Sequence, residues 1–97
     1  MKLHFAREAL IDLDGIASDS RKLWGKRQTL SYLATINAVT KRLAKTPNQF
    51  PVVPERPTHR KARAGHHFVI FRIDQDARAV NVVRILHERM DIEARLD

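Results

Sequence analysis

Apolar and polar positions change period several times along the chain, and each change marks an element. Lys2-Leu3-His4-Phe5 alternates, with Leu3 and Phe5 on one face, which predicts a short strand. From Ala6 the spacing becomes three and four. Ala6, Ala9, Leu10, Leu13, Ile16, Ala17 and then Leu23 and Trp24 form one stripe, with Asp12, Asp14, Asp19 and Arg21 mostly off it. That is the pattern of an amphipathic helix. Gly25 suits the position just past its end, where a left-handed backbone is needed. A second helix is predicted over roughly Gln28 to Lys45. Its main stripe is Tyr32, Ile36, Val39 and Leu43, and Leu30, Leu33, Ala34 and Asn37 form a flanking set. Lys41, Arg42 and Lys45 sit in its last turns, where the helix dipole favours cations, and Pro47 stops it. A link as short as Gly25 makes the two helices antiparallel neighbours.

Pro51, Pro54 and Pro57 rule out a central strand in the segment that follows, so Phe50 to Arg63 reads as a loop or edge that becomes extended near Arg60. Two strands come next. In the first, from His66 to Ile73, Val69, Phe71 and Ile73 share one face and Phe68, Ile70 and Arg72 the other. In the second, from Val80 to His87, the faces are Val83, Ile85 and His87 against Val80, Val82, Arg84 and Leu86. Both are apolar on both faces, as central strands are. Asp74 to Arg78 is polar and reads as the hairpin turn between them. Asp91 can cap a short last helix running through Leu96, with Glu93 in its first turn. The order is β-α-α-β-β-β-α. Helices precede strands, so the class is α+β: an N-terminal strand, a helical hairpin on a mostly antiparallel sheet of about four strands, and a short C-terminal helix.

Composition narrows the chemistry. The 97 residues fit one domain, 1–97. There is no cysteine, which excludes disulfides, zinc–thiolate sites and a thiol nucleophile. Met1 to Glu8 meets charge before any useful apolar run, so no signal peptide is expected, and no stretch is long enough to span a bilayer. A cytoplasmic protein without a membrane partner is the expectation. The net charge of +7 favours an acidic partner. It is uneven: residues 46–72 hold five Lys/Arg against Glu55 alone, whereas residues 73–97 hold four against six acids. For any single charge a solvated surface is the simplest explanation. The acid-free run from Arg56 to Arg72 is harder to dismiss.

Candidate catalytic groups are few. His66 and His67 are adjacent on a strand and point to opposite faces, so they cannot chelate one ion together, and His4 and His59 are scattered. No metal or other cofactor is expected. No serine lies beside a strained turn or oxyanion loop. A metal-free ribonuclease would need a general acid, a general base and cations around the phosphate. His87, Arg84, Arg63 and Lys61 are the residues for that role. Against it, the only tyrosine, Tyr32, falls on a helix stripe and reads as core. His87 equally suits a purely structural task at a strand end.

Several strings resemble the ParE branch of the ParE/RelE toxins of type II toxin–antitoxin systems. They are Leu3 to Ala9, then Ala9-Leu10-Ile11-Asp12-Leu13-Asp14-Gly15-Ile16, Leu23-Trp24-Gly25, and Leu43-Ala44-Lys45-Thr46-Pro47. The most specific are Gly65-His66-His67-Phe68-Val69-Ile70-Phe71-Arg72-Ile73 and Val82-Val83-Arg84-Ile85-Leu86-His87-Glu88-Arg89-Met90-Asp91. The likeness runs in order along essentially the whole chain. It departs in the three-proline stretch after the second helix and at Phe71, where many relatives carry Tyr. A C-terminal Tyr found in many RNA-cleaving relatives is also missing. The resemblance implies a toxin that inhibits DNA gyrase by binding, without covalent catalysis, and that forms a hetero-oligomer with a ParD-like antitoxin whose C-terminal region is acidic and apolar. It implies a toxic surface at the C-terminal end, on Arg84, His87, Arg89, Met90, Ile92 and Leu96. Antitoxin contact is implied at Leu30, Leu33, Ala34 and Asn37 on the second helix and at Arg60 and Arg63 on the sheet. Two rival expectations remain: a ribosome-dependent mRNA interferase of the RelE kind, and a non-toxic module that binds nucleic acid or a protein partner.

Overall fold

The computed structural model describes residues 1–96 and follows the predicted order. Strand β1 (Lys2–Phe5) leads into helix α1 (Arg7–Lys45), which is broken at Gly25. A single 3-10 turn, Pro47–Gln49, and a two-residue strand β2 (Val52–Val53) follow. Then come β3 (Arg56–Ala64), β4 (His67–Asp74), β5 (Ala79–His87) and the one-turn helix α2 (Ile92–Arg95). The sheet has five strands in the order β1-β5-β4-β3-β2, one more than expected, because the proline-rich stretch contributes the short edge strand β2. Among the described residues the β1–β5 pair is parallel and the other three pairs are antiparallel.

The hairpin needs no loop. Gly25 alone, at φ +83° and ψ 178°, reverses the chain between arms 7–24 and 26–45. Only glycine adopts that backbone without strain. The Thr29 hydroxyl donates to the Gly25 carbonyl at 2.8 Å, holding the first turn of the second arm. The second helix therefore starts earlier than the sequence suggested.

Pro57 lies inside β3, where a proline would normally break the ladder. The β2–β3 register slips at this point, with Val53 opposite Arg56 and Val52 opposite Arg60, so the residues between are unpaired and no N–H is missed.

A second slip corrects the predicted faces of β5. Ile70 pairs with Arg84 but Phe71 pairs with Val82, so Val83 is an extra residue in the ladder. A bulge shifts the alternation by one. Val80, Val82 and Ile85 consequently share the hairpin side with Val69 and Phe71, while Val83 and Leu86 join Ile70 and Phe68 on the opposite face. Strict alternation had separated Ile85 from Val82.

Two cores result. The larger lies between hairpin and sheet and includes Ala9, Ile16, Ile36, Val39 and Leu43 from α1. The smaller lies beneath α2, where Leu96 and Ile92 pack on Val53, Ile70 and Leu86. Asp91 caps α2 as predicted, accepting from the Ala94 N–H at 3.4 Å. Among the described residues no helix is long and apolar enough to cross a membrane.

Candidate functional site

The chemistry-bearing side chains converge at the bend of the hairpin. The second arm of α1 brings Tyr32, the β3–β4 turn brings Gly65 and His66, β4 brings His67, and the end of β5 brings His87 and Glu88. Gly65 is required here for two reasons. Its φ of +60° fits the first position of a two-residue hairpin turn, and a Cβ there would stand 2.6 Å from Cε1 of Tyr32. The turn thus lets the phenol reach the sheet. Tyr32 Oη accepts from the His66 N–H at 2.9 Å and meets His67 Nδ1 at 2.6 Å, with the Ala64 carbonyl at 3.3 Å. Tyr32 is therefore a half-buried polar hinge between helix and sheet, not only a core residue as its stripe suggested.

The three imidazoles pack together. His67 stands edge-on to His87 at 5.2 Å between centroids, and His66 lies nearly parallel to His87 at 6.5 Å. Glu88 ties the group to β3: it accepts from Arg63 at 2.7 Å and from His66 Nδ1 at 2.8 Å. The Arg63 bond first and the His66 bond second hold its carboxyl down at about 2. Burial pushes the Tyr32 phenol up. Burial, then the charges of His87 and His66, hold His67 below its ordinary value. These rings border an open cleft of about 490 Å³ between the arms, which Leu23, Trp24, Ser31 and Thr35 also line. Among the described residues no three His, Asp or Glu side chains converge in a geometry that could hold a metal ion.

The lowered His67 fixes a pH dependence. The unfolded chain takes up this proton near pH 6.5, before the folded protein does, so acidification favours unfolding. Stability is therefore expected to fall between about pH 7 and pH 5. His67→Asn keeps an acceptor for the Tyr32 hydroxyl without a titrating group, and should flatten that slope. Thermal melts across the range would read it, and a slope unchanged in the variant would assign it to another group.

The other candidates are dispersed. Arg84 forms a two-pronged ion pair with Asp12 of α1, at 2.9 and 3.1 Å, and Asp12 also accepts the Ile85 N–H at 2.8 Å. The hydrogen bond to Asp12 raises the Arg84 pKa further. Lys61 and Arg63 lie over the Phe68 ring, on the sheet face away from the hairpin. His87 Nδ1 accepts the Arg89 N–H at 3.2 Å. The proposed ribonuclease set thus does not form one cluster. At the C-terminal end Arg89 and Met90 are exposed, but Ile92 is half-buried and Leu96 is only 3% exposed, so those two cover the small core. On the hairpin Leu30, Ala34 and Asn37 are exposed, and Leu33 and Asn37 line a shallow groove with Leu13 and Ala17 of the first arm. Arg60 donates to the Asn48 and Phe50 carbonyls, and Arg63 is on the other face, so neither adjoins that groove. Tyr32, His66, Glu88 and Asp12 were not foreseen as a site. The one sequence signal for Tyr32 was its place as the only tyrosine, at the polar end of an apolar stripe.

The family described as the ParE toxin of the type II toxin–antitoxin system parDE matches residues 3–92. The chain belongs to this family. It is 40% identical over 90 residues to the toxin ParE of Escherichia coli, covering 92% of this chain and 86% of that one. It is 30% identical over 92 residues to the toxin ParE1 of Caulobacter vibrioides, covering 94% and 93%. A solved chromosomal ParDE system of P. aeruginosa superposes with a TM-score of 0.78 at 27% identity, over 90% of this chain and 95% of that one. The E. coli RelE toxin shares the fold, with a TM-score of 0.63 at 13% identity, over 97% and 92%. As a ParE-family protein, the chain is the toxin of a type II toxin–antitoxin system, and its α+β frame is the one ParE and RelE toxins share.

Proposed function

We propose that this ParE-family toxin acts by binding DNA gyrase, without covalent catalysis, and that a ParD-like antitoxin silences it. The observation that supports the binding mechanism is that the three candidate cations are already engaged and that His87 has committed its Nδ1. Arg84 is fixed by Asp12, Arg63 by Glu88, Lys61 lies on Phe68, and His87 accepts the Arg89 N–H. An acid–base pair poised around a phosphate would need free groups beside the cations. Gyrase as target rests on the family resemblance. The ParD-like partner is supported by the P. aeruginosa ParDE likeness and by the groove between the helical arms, an apolar seat of the kind that accepts an amphipathic helix. Arg89 and Met90 are the exposed groups at the C-terminal end, and Arg and Met are the residue types that interfaces enrich.

One observation favours the rival reading, cleavage of ribosome-bound mRNA: the Tyr32–His67–His87 cluster opens to solvent and contains groups able to move protons. A gyrase supercoiling assay run beside a ribosome-bound mRNA cleavage assay separates the two. The expected result is inhibited supercoiling and intact mRNA. His87→Ala should weaken inhibition only partly, whereas Arg89→Glu combined with Met90→Ala should reduce it about ten-fold or more, as loss of an interface anchor does. Cleaved mRNA with untouched gyrase, and abolition of cleavage by His87→Ala in a folded protein, would replace the proposal. Removing everything after Met90 is a poorer test, because it also removes Ile92 and Leu96 from the small core.

A further inference from the structure

The bend of the hairpin carries features that the proposed function leaves without a role. From Ser20 to Arg72 the chain holds twelve Lys/Arg and one acid, Glu55. Four of the twelve, Arg21, Lys22, Lys26 and Arg27, flank the bend and are exposed. Between them Leu23 and Trp24 stand 68% and 63% exposed, a large apolar pair left in water. Beside this pair opens the cleft walled by Trp24, Tyr32 and the three imidazoles. Its volume of about 490 Å³ is within the range of small-molecule sites.

We infer that this cleft binds single-stranded nucleic acid, taking an unpaired base against its rings and the adjoining phosphates on the cations of the bend. Three features carry the assignment together. Aromatic faces at an open surface provide stacking that any base satisfies. Ser31, Thr35 and Gln28 on the second arm supply hydroxyl and amide groups for base edges. The flanking cations give the electrostatic footprint of a phosphate chain. Three acids are near, of which Asp12 is paired with Arg84. Asp19 lines the cleft, and Glu88 is already neutralised by Arg63 and His66, so the four cations of the bend outweigh them. A duplex presents base edges and not faces, and so cannot use the rings. A bilayer is a poorer fit, since an interfacial helix needs a continuous apolar face. Here Leu23 and Trp24 are set among four cations beside a polar cleft wall, with the other exposed apolar residues of the hairpin, Leu10, Ile11 and Leu30, further along the arms.

Trp24 is the only tryptophan, so its emission reports from within the site. The free toxin would be titrated with a short, dye-labelled oligothymidylate at low salt, reading dye anisotropy and Trp24 quenching. Saturable binding with quenching is expected. Four neutralised phosphates predict a slope of log affinity against log salt near about −3. Trp24→Ala, an exposed position that leaves the core intact, should weaken binding about ten-fold, the loss of one stacked base. Lys22→Glu with Lys26→Glu should reduce the salt slope to about half. The inference is overturned by any of four results: no anisotropy change at low salt, undiminished binding by Trp24→Ala, equal affinity for the matching duplex, or a Trp24 blue shift with phosphatidylglycerol vesicles and none with the oligonucleotide.

Discussion

Phe71→Ala is expected to cost about 3–5 kcal/mol of unfolding free energy, the largest effect of any single truncation in this chain. The ring is completely buried between hairpin and sheet. It meets Phe50 edge-on at 6.0 Å, and Arg42 in turn lies over Phe50 at 5.5 Å. Its neighbours belong to the second arm of α1, tied to the sheet through Tyr32, and to a continuous sheet, so the cavity left by alanine has little freedom to collapse. Denaturant unfolding of variant and parent gives the number directly, with the slope expected to stay constant and the midpoint to move. A midpoint within error of the parent would mean that β4 presents its other face to the hairpin. The same burial explains the departure at this position. A tyrosine hydroxyl here would be buried and would need a partner.

Asp12→Ala should be the second costly change, at about 2–4 kcal/mol, because it orphans two groups at once. One is the Arg84 guanidinium, held at 2.9 and 3.1 Å; the other is the Ile85 N–H, held at 2.8 Å. The second bond explains why an acid belongs on this helix. Strand β1 pairs with β5 only as far as Val82, so the β5 edge beyond it would be bare, and Asp12 reaches down from α1 to fill the gap. Asp12→Asn retains a carbonyl oxygen for Ile85 and loses the charge. Its cost should fall between those of the parent and the alanine variant. Equal stability of Asp12→Ala and parent would show that water replaces the carboxylate at no loss. The pair is partly open to solvent, which is why the range lies below that of a fully buried ion pair.

Much of this fold was legible because its elements repeat simple periods. The stripe Ile36, Val39, Leu43 is buried as its spacing implies, and the turn between β4 and β5 and the Asp91 cap fall where polar residues predicted them. The misreadings have specific physical origins. Leu23 and Trp24 continue the helical spacing of Ala9 and Ile16, yet they are exposed at the bend, and Leu10, in the first turn, is half-exposed beside the fully buried Ala9. Periodicity records which face is apolar but not how far the partner surface extends. The bulge at Val83 exchanged the faces of β5 with no glycine or proline to announce it. The Tyr32–His67 contact joins residues far apart in sequence and depends on the β3–β4 turn meeting the helix, which no local pattern encodes. Leu96, counted by resemblance with the toxic surface, is instead buried in the second core, and a one-turn helix is too short for a stripe to reveal it.

The pairing of β1 with β5 also orders events during synthesis. Lys2 finds its ladder partner only at Ala79, so β1 leaves the ribosome well before the strand it pairs with. The helical hairpin and the β4–β5 hairpin close local contacts and can form as soon as they emerge. Docking of β1 must close the longest loop in the molecule and comes after them. Until then β1 is an unpaired edge, and the nascent chain lacks the strand that completes the sheet. A release-arrested chain ending before Ala79 should accordingly leave its N-terminus open to proteases, and one extending past His87 and clear of the exit tunnel should protect it. Within this topology a toxin domain cannot finish folding while its own message is still being read through the last strand.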